Sequence, residues 1–168
     1  MDAPSAATLL ERERQAWLPF EALGGLTDAE LDQSVAAAHD WSARDLIAHL
    51  IAWLGDAIDV AHELTVGATS ETRITSRQGF TTRGDEINSE IEAAWRRLAI
   101  EEVRRRLHDV PVELRRAATA VPDERWLADP ENLRFIEVYS IGHYADHLDD
   151  LRAILAAAAP GGGAEGAP

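Results

Sequence analysis

Apolar residues return every three or four positions along most of the chain, and no stretch alternates with a period of two over strand length. That pattern predicts an all-α protein. The first helix is expected from about Ser5 to Ala22, with Leu10, Trp17 and Phe20 on one face, and Gly24 and Gly25 stop it. Thr27 and Glu30 have capping-box spacing for a short helical turn, and Ser42 with Asp45 starts a second long helix in the same way. This helix runs to about Val66 with Leu46, His49, Leu50, Trp53, Ala57, Val60 and Leu64 as its inward stripe.

Residues 67–84 are polar, rich in Gly and Thr, and lack helical periodicity, so they read as the longest loop. A third helix begins near Asp85 with Ile87, Ile91, Trp95 and Leu98. It continues through Val103, Leu107, Val110, Leu114, Ala117 and Val121, with a kink expected at Pro111. The last helix spans about Glu131 to Ala158, with Ile136, Tyr139, His143, His147, Leu151 and Ile154 inward. Four long helices predict a four-helix bundle with a kinked third helix, filling residues 1–159. Residues 160–168, PGGGAEGAP, cannot bury enough apolar surface to offset ordering entropy and are expected to form a flexible tail.

Length and composition narrow the class. A chain of 168 residues, 46% of them hydrophobic, can enclose one sizeable core. Thirty acidic residues against 16 basic ones, all Arg, leave a formal charge of −14, which repels phosphate backbones and anionic membranes. Nucleic acid and membrane are therefore not expected partners. The absence of Cys excludes disulfides, thiolate ligands and a cysteine nucleophile; with no signal-peptide pattern or transmembrane run, a soluble cytoplasmic protein is expected.

The chemistry concentrates in three histidines. His143 and His147 are four apart, about 40° around a helix axis, and can chelate one ion together. His49 holds the matching inward position on the second helix. Three buried imidazoles without partners would each cost about 1 to 3 kcal/mol, whereas a divalent cation gives all three a partner. Zinc is the first expectation, and nickel or iron also accept such ligands. The competing reading is three unrelated histidines, each half exposed or bonded to a carbonyl. Neither H-E-x-x-H nor paired E-x-x-H segments occur, which favours a mononuclear site.

Several neighbours are candidates to bind a substrate. Asp56 and Asp150 each lie seven residues beyond a proposed ligand, about 10 Å along the axis, too far to ligate but placed to line a pocket. Trp53 can form a wall, Asn88 can orient a ligand from the third helix, and Tyr139 can offer its phenol near the metal. His39, His62 and His108 read as solvated residues. Arg104, Arg105 and Arg106 sit among Glu101, Glu102 and Asp109, which predicts solvated ion pairs.

The segments W-S-A-R-D-L-I-A-H-L-I-A-W at 41–53 and G-H-Y-A-D-H-L at 142–148 resemble the DinB-like superfamily of four-helix bundles. That superfamily includes thiol-dependent S-transferases and the mycothiol-dependent maleylpyruvate isomerase N-terminal domain. The resemblance spans nearly the whole chain and implies His49, His143 and His147 as metal ligands. His143 stands where the isomerase branch often has Glu, and follows the DinB pattern instead. The stretch GFTTRGDEINSEIEAAWRRLAIEEVRRRL is similar to the middle of ClbS-like resistance proteins, which need not rely on a metal.

The function expected from this is metal-dependent transfer of a low-molecular-weight thiol, such as mycothiol or bacillithiol, to an electrophilic small molecule in detoxification. The alternatives are hydrolysis by metal-activated water and non-catalytic sequestration of a small molecule or metal. A homodimer formed through an exposed helical face is compatible with each of them.

Overall fold

The computed structural model describes residues 5–159, apart from the side chains of 77–81. The expected tail at 160–168 lies outside the described residues. Helices make up most of those described, the only extended pairing among them being a single antiparallel bridge between Val35 and Trp41.

Helix α1, Ala6–Trp17, opens where the Ser5 side chain accepts the Thr8 N–H, and it buries Leu9, Glu13 and Trp17. Pro19 then falls in a 3₁₀ segment, Leu18–Gly25, so the expected single helix to Ala22 tightens after Trp17 while Phe20 and Leu23 stay in the core. The Thr27–Glu30 capping box forms as expected and opens α2, Asp28–Leu31. A 3₁₀ turn at Ala36–Ala38 leads to His39 and Asp40, both with positive φ, 58° and 62°.

The second capping box, Ser42 with Asp45, starts α3, Ala43–Val66, the central helix of the fold. It packs along α4, Glu71–Trp95, and α5, Ile100–Ala120. Leu46, Leu50, Leu54, Ala57, Val60 and Leu64 are fully buried along it, much as the stripe predicted.

The sequence reading departs from the structure most in α4. Residues 71–84, expected to be loop, are helical. They lack a stripe because this helix buries little, and tertiary contacts hold it instead: Ser70 caps the Arg73 N–H, Glu63 accepts Ser70 Oγ and Thr72 Oγ1, and Arg73 pairs with Asp129 at 2.7 Å. Arg83, just before Gly84, leaves the helical region with φ −136° and ψ 24°.

The predicted third helix is also two helices. The break falls at 96–99 rather than at Pro111, through which α5 continues. Arg44 of α3 explains the position: its guanidinium donates to the Trp95 and Leu98 carbonyls at 3.2 and 3.0 Å, satisfying groups that a continuing helix would have used itself. Of the three-arginine cluster, Arg105 and Arg106 pair with Glu102 as expected. Arg104 instead clamps the Gly24 and Leu26 carbonyls.

After α6, Asp123–Ala128, the expected last helix is interrupted twice. It runs as α7, Pro130–Glu137, a π-helical turn at Val138–Gly142, α8, His143–Asp146, and α9, Leu148–Ala158. Asp129 caps α7 through the Glu131 N–H, and Pro130 holds its first position. The π turn packs on both α1 and α3. Beneath it Glu13, fully buried, accepts Arg115 Nη1 at 2.8 Å and the Tyr144 hydroxyl at 2.9 Å. No described helix is long and apolar enough to cross a membrane.

Candidate metal centre

Two interruptions of regular helix place the last two histidines. The π turn ends at Gly142, immediately before His143, and π turns recur at functional sites because the widened turn re-aims the side chains beside it. Here Tyr139 and His143 both reach the Trp53 indole, at ring-centroid distances of 4.7 and 4.1 Å. His147 sits at the joint between α8 and α9 with φ −107° and ψ 10°. Opposite them, the Ser42–Asp45 box sets the start of α3, which puts His49 inward and 5% exposed.

The three rings form a nearly equilateral triangle with centroid separations of 4.6, 4.8 and 4.8 Å. One nitrogen from each lies within 4.8 Å of the other two. Around an ion with metal–nitrogen distances of about 2.1 Å, tetrahedral ligand nitrogens sit about 3.4 Å apart, so each ring needs to move inward by about 0.8 Å or less. Two indoles enclose the triangle: Trp41 packs on His49 and His147, and Trp53 on His143 and His49.

The electrostatics suit a ligand set. Burial, reinforced by neighbouring His147, pushes the His49 pKa down to about 4, against a smaller opposing pull from Asn88 and Asp150. Burial, then His49 and His147, pushes His143 down to about 2. Both rings are neutral at pH 7 and offer lone pairs. His143 Nε2 is buried without a hydrogen-bond partner, the condition that an ion at the centre of the triangle would relieve. His147 Nδ1 lies 2.8 Å from Asp150 Oδ2, a carboxylate only 6% exposed. That bond favours the proton on Nδ1 and leaves Nε2 as the nitrogen available to an ion.

Asp150 was expected at a pocket wall. It is instead the partner of His147, three residues on, and it is not among the residues lining the cavity described below. The His147-x-x-Asp150 spacing carried this signal in the sequence, since side chains three apart on a helix meet. His39, expected to be solvated, is exposed, yet its Nε2 lies 3.6 Å from Asp150 Oδ1. His62 and His108 are exposed beside Glu113 and Asp109.

A cavity of about 460 Å³ adjoins the triangle between α3, α4 and the π turn, with Trp53 as the shared wall. Trp53, Asp56 and Tyr139 line it, as the sequence suggested, together with Ser76, Ile87 and Ile91. Ser76 was missed because its segment read as loop; its hydroxyl bonds the Asp56 carboxylate and lies 3.2 Å from the Tyr139 hydroxyl. Asn88 faces His49 from α4.

The described residues form an all-α protein that gathers three imidazoles, two of them held neutral by burial, next to a cavity. Over residues 10–133 the chain matches the model of the mycothiol maleylpyruvate isomerase N-terminal domain, and it belongs to that family, a branch of the DinB-like superfamily. The matched segment includes His49, Trp53, Asp56 and Asn88 but ends before His143 and His147. No curated protein and no solved structure matches the chain.

Proposed function

We propose that this protein is a metal-dependent thiol S-transferase on a DinB-like four-helix bundle, with His49, His143 and His147 holding one divalent cation, zinc before nickel or iron. The observation that carries the reading is the buried, unpartnered Nε2 of His143, facing two further imidazoles at ligand spacing. When bound, such an ion supplies Lewis acidity that favours the thiolate form of an incoming thiol. The chain has no Cys, so the thiol comes from outside, and the family supports mycothiol or a similar low-molecular-weight thiol.

The protein's own groups position the reactants. Asp150 holds the His147 ring in one tautomer and one orientation. Trp41 and Trp53 restrict water around the imidazoles, and Trp53, Asp56 and Tyr139 shape the cavity that seats the electrophile against them. The net charge of −14 supports a small-molecule substrate rather than nucleic acid or an anionic membrane. A cytoplasmic setting, where such thiols stay reduced, fits the same chemistry.

Elemental analysis of untagged protein tests the site: about one equivalent of metal is expected in wild type and almost none in His147→Ala. Thiol-consumption assays with and without metal then test the activity. Ligand binding that persists without turnover, whether with bacterial thiols or in water, would replace the transferase with a sequestering protein. Turnover in water alone would make it a hydrolase.

A further inference from the structure

The cavity beside the triangle has a polarity of its own. Its walls are largely apolar or aromatic, from Trp53, Ile87, Ile91 and the Tyr139 ring, while its polar groups are the Asp56 carboxylate, the Ser76 and Tyr139 hydroxyls beside it, and Thr72 and Thr75. Among the described residues that line it there is no Arg. The described arginines of α4 are engaged elsewhere, Arg73 with Asp129 and Arg83 with Glu86 and Glu90. Burial raises the Asp56 pKa against the opposing bond from Ser76, and the nearby negative charge of Asp59 adds to the rise. A carboxylate set among apolar walls and balanced, among the described residues, only by hydroxyls is costly to keep, and a cationic guest removes that cost.

We propose that this cavity binds an organic ammonium group attached to an apolar or aromatic body, with Asp56 as its counter-ion and Trp53 and Tyr139 as the aromatic faces against it. The inference deepens the proposed function and rests on it only in calling the guest a substrate; binding itself requires no metal. It also predicts rejection of carboxylate substrates, because an anion in this space would meet Asp56 with no cation from the described wall to offset the repulsion.

The test is calorimetry with three probes of one shape and different charge: 1-naphthylmethylamine, 1-naphthylmethanol and 1-naphthoate. Each is titrated at neutral pH into chelator-treated and metal-loaded full-length protein. The amine is expected to bind about tenfold tighter than the alcohol, the naphthoate most weakly, and Asp56→Asn should cut the amine's advantage to about twofold or less. Equal binding of the three, tightest binding of naphthoate, no measurable binding of the amine, or an unchanged preference in Asp56→Asn overturns the proposal. If the variant does not fold, the wild-type order of the three probes decides. Loss of the metal reading with the amine preference intact would sink the transferase but not the cavity. Metal binding without that preference would do the reverse.

Discussion

The metal-free protein should lose stability steeply as pH falls, and the two buried imidazoles set the size of the loss. An unfolded chain protonates its histidines near 6.5, whereas the native fold holds His49 down at about 4 and His143 at about 2. Between those values the unfolded state binds more protons than the native one, so stability is fully present above 6.5 and declines as pH drops below it. For His49 the decline levels off near pH 4; for His143 it continues to lower pH. By about pH 5 each ring has forgone about one and a half pH units of proton binding, or about 2 kcal/mol at about 1.4 kcal/mol per unit. Together they remove about 4 kcal/mol, a large share of a typical domain stability of roughly 5 to 15 kcal/mol.

Urea unfolding of chelator-treated protein, followed by tryptophan fluorescence between about pH 7.5 and about pH 5, measures this directly. Glu13 and Asp56, whose pKa values burial raises, act in the opposite direction, so the decisive quantity is the difference from His143→Phe. That variant keeps an aromatic ring against Trp53 and should halve the histidine contribution. A variant with the same pH slope as wild type, or a wild-type loss below about 1 kcal/mol with no difference between the two, would mean that the rings are not held neutral in the interior.

Two further outcomes follow from individual contacts. Asp150→Asn keeps the size of the side chain but removes the carboxylate that orients His147, and should weaken metal binding by about 10- to 100-fold in competition with a chromophoric chelator; unchanged affinity would show that His147 needs no orienting partner. Arg115→Ala leaves Glu13 buried with only the Tyr144 hydroxyl, and should cost about 3 to 5 kcal/mol in urea unfolding at neutral pH; a loss under about 1 kcal/mol would contradict the burial of an ionised Glu13.

What the sequence determined by itself was whatever a local, strongly periodic pattern can encode. The Ser42–Asp45 and Thr27–Glu30 boxes were legible because each closes between residues three apart. The stripe from Leu46 to Leu64 was legible because α3 is buried along it, and the inward direction of the buried His49 and His143 and of the part-buried His147 came with such stripes. Tertiary structure decided the features that depend on distant partners. Helix α4 exists although it has almost no apolar stripe, because Glu63 and Asp129 hold its first turn; the break at 96–99 is held by Arg44, some fifty positions upstream. The π turn before His143, packed on α1 and α3, and the irregular joint at His147 set these two histidines as two corners of the triangle. The cavity arises the same way, where α3, α4 and the π turn leave space around a carboxylate. Periodicity records which side of a helix meets the core, but the position and spacing of groups from different helices are set only when those helices pack.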